Sequence, residues 1–153
     1  MKSLVVLTVS ILSAVSILFC PIVLAAPPSM PDDLQLVQPD PTLPKELTAF
    51  WGQWEGSFSD TWKLGQLVQM WIVVEKITEG KVILRQWRTD HGWAPRREAT
   101  VTKENGKYKL WFSSSYGKIE MTLKDELLVW NLPDLKFSIN FKRVAETASK
   151  KRY

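Results

Sequence analysis

A single histidine, His91, and a single cysteine, Cys20, limit the chemistry open to this chain of 153 residues. A zinc site built from His and Cys ligands cannot be assembled from one of each. A Cys–His pair would depend on Cys20, which lies in the apolar N-terminal run. A Ser-His-Asp triad would depend on His91, between Asp90 and Gly92, and no Gly-x-Ser-x-Gly elbow occurs. No glycine-rich phosphate cradle occurs either. Glu55, Glu98, Glu104 and Glu120 fall on or near polar faces, whereas the facing of Glu75 is unresolved. The pattern points away from an enzyme. It assigns no catalytic residue, metal or cofactor.

The aromatic side chains are more informative. Trp62, His91, Trp93 and Tyr116 fall in or beside the longer links between expected strands, with Arg96 and Arg97 close by. A ring of aromatics with a neighbouring cation suits a flat or amphipathic molecule bearing an acidic group. The candidate ligand-binding residues are therefore Trp62, Trp87, His91, Trp93, Arg96 and Tyr116. His91 would add pH sensitivity, since its unperturbed pKa is ~6.5. The competing reading is that these side chains cap or plug a core.

These residues need a scaffold. From Phe50 onward, apolar and polar residues alternate in short runs separated by turn signals. The expected strands span residues 50–58, 67–77, 82–89, 97–104, 107–112, 118–123, 127–131 and 135–144. This is an all-β meander of eight strands. Closure into an antiparallel up-and-down barrel removes its edges. The links at 78–81, 105–106 and 124–126 are tight, and Asn105-Gly106 is a strong hairpin signal. The links at 59–66, 90–96, 113–117 and 132–134 are looser. One end of the barrel is thus pinched and the other carries the longer loops, where ligands enter. The interior set is ambiguous. Pairing Ile77 with Val82 puts Trp71, Val73, Glu75, Leu84, Gln86 and Arg88 on one face. It puts Met70, Ile72, Val74, Ile83, Arg85 and Trp87 on the other. The stripe of Val68, Met70, Ile72 and Val74 favours the second set inside, with Trp87 as a cavity wall.

The flanks differ in character. Residues 1–25 read as a secretory signal peptide: Lys2 precedes an uncharged run over residues 4–26, and Val23-Leu24-Ala25 suits cleavage. An uncleaved anchor interrupted by Pro21, or a lipidated Cys20, are the alternatives. Residues 26–43 form a proline-rich linker, with a short helical turn expected after Pro44. The barrel domain covers 44–144, and 145–153 is a basic tail. The net charge of +4 gives a mildly basic surface with no nucleic-acid signature. Membrane contact is expected only through the signal segment. The absence of disulfide cysteines and of Asn-x-Ser/Thr fits an extracytoplasmic bacterial protein, periplasmic or secreted.

The first strand contains Gly52-Gln53-Trp54 after that helical turn. This resembles the Gly-x-Trp signature of the calycin superfamily, which includes lipocalins, fatty-acid-binding proteins and avidins. The resemblance implies a calycin-like barrel in which an Arg of the last strand covers the Trp at the closed end. Arg143 stands in that place, in phase with Leu135, Phe137, Ile139 and Phe141. It gives Gly52, Trp54 and Arg143 a structural role. The function expected is non-catalytic binding of a small apolar or amphipathic ligand. The alternative is a structural or interaction module of the cell envelope that binds protein or polysaccharide through exposed aromatics.

Overall fold

In a computed structural model of the chain, residues 28–60 and 65–145 are described. The segment expected to be a signal peptide, most of the basic tail and Trp62 lie outside them. A one-turn helix, α1 (Lys45–Thr48), precedes β1 (Gly52–Asp60), β2 (Gln66–Ile77) and β3 (Lys81–Arg88). A two-residue strand follows, β4 (Gly92–Trp93). Then come β5 (Arg97–Glu104), β6 (Lys107–Ser114), β7 (Gly117–Lys124), β8 (Leu127–Leu132) and β9 (Phe137–Arg143), with a 3-10 turn at Pro133–Leu135. All pairings are antiparallel, and β1 pairs with both β2 and β9. The sheet therefore closes into a barrel of eight strands, to which β4 adds only a short flap on β3. Among the described residues no helix is long and apolar enough to cross a membrane.

Turn chemistry sets the two ends. Asn105 and Gly106 both have positive φ, as do Asp125 and Glu126, which suits two-residue hairpins. Those links, with 78–80, make the closed end. The links after β1, β3, β6 and β8 make the open end. One of them is shorter than the sequence suggests, because β6 and β7 extend to leave only Ser115 and Tyr116 between them.

Alternation along the strands packs the interior. Trp130 lies edge-on to Phe112 at 6.0 Å and stacked on Phe141 at 6.1 Å. Trp54, Ile72, Leu84 and Leu110 are buried in the same core, together with Leu47 of α1 and Phe50 just after it. Each such side chain contributes about 1.5–3 kcal/mol relative to exposure.

A bulge resolves the ambiguity between β2 and β3. Ile77 does pair with Val82, and Lys76 with Ile83, but Val74 then pairs with Leu84. Glu75 is the extra residue. Beyond it the phase flips, so Met70, Ile72 and Val74 share the interior with Leu84, Gln86 and Arg88. Trp87 consequently faces outward with Trp71 and Val73. It does not wall a cavity, as the apolar stripe of β2 had suggested.

Residues 28–38 are seated on that outer wall. Val37 N–H donates to the Glu75 carbonyl at 2.8 Å, and the Trp93 indole N–H donates to the Ser29 carbonyl at 2.9 Å. Pro28 is buried. Much of the stretch read as a linker is thus a strap. The reason lies in the wall itself: Trp71, Val73, Glu75 and Arg85 are all buried on a face that would otherwise meet water.

Candidate functional site

The open end is built from the last residues of β1, β3, β6 and β8 and the first of β2, β5, β7 and β9. Inside it, Phe58 and Phe137 meet edge-to-face at 5.5 Å, with the Arg88 guanidinium 5.3 Å from the Phe58 centroid. Arg88 is held by two hydrogen bonds to Asp90, at 3.0 and 2.9 Å.

Between β5 and β6 the barrel wall parts. Their pairing stops at Thr100 and Trp111, while Arg97, Glu98 and Ala99 continue to pair with β3 alone. A cavity of about 310 Å³ occupies this gap, lined by Arg97, Glu98, Thr100, Trp111, Phe112 and Ser113. That volume lies at the small end of ligand sites. The Arg97 guanidinium lies 5.6 Å from the Phe112 centroid and has no carboxylate partner among the described residues.

Among the described residues, Arg97 Nε, Gln86 Nε2 and Trp130 Nε1 are buried donors with no acceptor. Gln86 stands two residues beyond Leu84, the register partner of Arg97. Trp130 touches the Phe112 ring over which Arg97 lies. An unpaired buried N–H costs about 1–3 kcal/mol, so such a group of donors calls for an acceptor. Another unpaired indole, that of Trp51, belongs to the closed end. Two broader hollows lie elsewhere, one beside Arg143 at the closed end and one between residues 37–43 and the β2–β3 link. Neither is lined by Arg97, the one of these donors that lines the cavity between β5 and β6.

The expected site residues are distributed differently. His91 is exposed at the β3–β4 link, with Nε2 3.5 Å from Asp90 Oδ2. Tyr116 is exposed at the tip of the β6–β7 link. Trp87 and Trp93 are register neighbours on the outer wall. Arg96 is engaged within the chain: its Nε donates to Glu75 Oε2 at 2.9 Å and its Nη2 to the Asp33 carbonyl. Arg85 completes this outer cluster, with a double hydrogen bond to the Asp33 carboxylate and Nε 3.1 Å from Glu75 Oε1. The Arg85 hydrogen bond holds the Asp33 carboxyl below the usual carboxylate range.

Gln86 and Trp130, which supply unpaired donors, were not among the expected site residues. The sequence marks Arg97 only as a neighbour of the rim. Its adjacency to Arg96 was the one visible signal, and opposite parity sends the two to opposite faces. No protein-family model, no curated protein and no solved structure matches the chain.

Proposed function

We propose that this is an exported, non-catalytic binding protein that takes a small amphipathic molecule with an acidic head at the open end of its barrel. The observation that carries the reading is Arg97: a cation with no carboxylate partner among the described residues, its Nε buried and unpaired, over an aromatic ring and lining a gap of the wall. A carboxylate in that cavity would give Arg97 the acceptor it lacks, through a charge-assisted hydrogen bond. The apolar part would lie against Phe112 and Trp111. The closed barrel, Gly52-Gln53-Trp54 and the contact of Trp54 with Arg143 support a calycin-like reading of the fold. The uncharged run over residues 4–26 supports export.

Titration of tryptophan fluorescence with decanoic and benzoic acids tests the proposal. Binding of the acid is expected to weaken about tenfold in Arg97→Gln, through loss of the charge-assisted bond. The methyl esters should bind the wild type as weakly as the acids bind the variant. Equal binding of acid and ester, or an unchanged Arg97→Gln, would overturn it.

The second reading, an interaction module of the cell envelope, is supported by the packed interior. Trp54, Trp130, Phe112 and Phe141 all belong to the buried core cluster that fills the barrel.

A further inference from the structure

The large apolar side chains that stand exposed among the described residues are Val37, Leu67, Tyr116 and Leu135. Three of the four belong to the open end. Leu67 (62% exposed) is the second residue of β2, Tyr116 (63%) tips the β6–β7 link, and Leu135 (60%) closes the 3-10 turn before β9. The neighbouring Asp134 packs against Gly117, so two of these links are held side by side.

The strap leads to the same rim. It runs from Val37 beside Glu75, near the closed end, past Asp33 at Arg85 and Arg96, to Ser29 at Trp93. The chain before Pro28 therefore joins the domain at the open end. That chain includes the uncharged run over residues 4–26, which is long enough for a bilayer core at ~20 residues.

We propose that the open rim docks on the surface of a phospholipid bilayer, with Leu67, Tyr116 and Leu135 in the interface. A tyrosine with flanking leucines suits the headgroup level, where one end of a side chain is apolar and the other wet. The rim charges are largely paired within the protein, Arg88 with Asp90 and Lys118 with Glu120. Arg97 and Lys136 have no carboxylate partner among the described residues. Apolar insertion therefore governs the contact, and anionic lipid adds modestly to it. Three side chains alone hold weakly. The N-terminal run, while attached, keeps them at the membrane and raises their effective concentration. The proposal is independent of the ligand reading, because none of the three side chains lines the cleft.

The experiment uses the full chain with Cys20→Ser, reconstituted into phosphatidylcholine vesicles containing some phosphatidylglycerol. A fluorophore is placed at Ser115→Cys on the open rim or at Glu79→Cys on the closed end. Brominated lipid is expected to quench the rim label about threefold more strongly than the other, as interfacial seating requires. Equal quenching would overturn the proposal. Shielding of the rim label that rises with protein concentration and needs no vesicles would assign the rim to a second copy, and would also overturn it. A chain beginning at Ala26 retains every contact described above and supplies a second measurement. Its sedimentation with the same vesicles should fall about fivefold when Leu67, Tyr116 and Leu135 all become Ser, with an unchanged melting temperature. Sedimentation unaffected by the triple change would reject the apolar contact.

Discussion

The Arg143 guanidinium lies 4.2 Å from the centroid of the Trp54 ring, directly across the β1–β9 ladder from it. The same guanidinium donates to the carbonyl of Trp51 at 2.5 Å and to that of Ala49 at the end of α1. The Trp54 indole N–H in turn donates to the Phe50 carbonyl at 2.9 Å. The closed end is therefore tied at one point: first strand, last strand and helical turn meet on two side chains.

Arg143→Ala removes the ring contact and two carbonyl partners together. The expected loss is about 2–3 kcal/mol of unfolding free energy, measured by urea titration. Arg143→Lys should recover less than half of it, because an ammonium lacks the planar fork that reaches two carbonyls from above the ring. An alanine variant as stable as wild type would contradict this account of the closed end.

Glycine at two positions of β1 is a packing requirement. Gly52 has φ +109° and a Cβ there would stand 3.1 Å from Arg143 Nη1. At Gly56 a Cβ would meet the Asn140 carbonyl oxygen at 2.9 Å, which is backbone and cannot swing aside. Gly56→Ala should cost about 2 kcal/mol by forcing β1 from β9, read as a fall in thermal midpoint.

Glu75 is the buried carboxylate of the outer cluster, between Arg85 and Arg96. Glu75→Ala leaves Arg85 buried with Asp33 as its remaining carboxylate partner. The expected cost is about 3 kcal/mol by chemical denaturation. Amide exchange should rise at Val37, whose N–H bonds to the carbonyl of this bulge residue.

The strap should loosen in acid. The Asp33 carboxyl is held below its ordinary range, first by the hydrogen bond from Arg85. A depressed folded-state pKa means that the contact adds stability above the ordinary carboxylate pKa of ~3.9. That stability disappears as pH falls through the lower folded value. Limited proteolysis with pepsin across this range should cut within residues 28–38 as pH drops. Asp33→Asn should show the cleavage already at the top of the range. A cleavage rate independent of pH in the wild type would rule out the Asp33–Arg85 pair as the clasp.

The sequence by itself determined the class of fold and the order of its strands, and the meeting of Trp54 with Arg143 was implied by the resemblance to calycins and agreed with the phase of the last strand. Period-two alternation, Asn105-Gly106 and chain direction are local properties, and each survives whatever the rest of the chain does. The face of β3 was a different matter. One inserted residue, Glu75, reverses the parity of β2 against β3 and sends Trp87 out and Gln86 in, and nothing in the alternation marks where the insertion falls. The strap was equally hidden, since Asp33 meets Arg85 across 52 positions and the wall that needs covering exists only once β2 and β3 have paired. The parting of β5 from β6, beside which Arg97 Nε has no acceptor among the described residues, is likewise a consequence of barrel closure. Closure constrains all eight strands at once, so only the tertiary structure decided which polar groups went unpartnered.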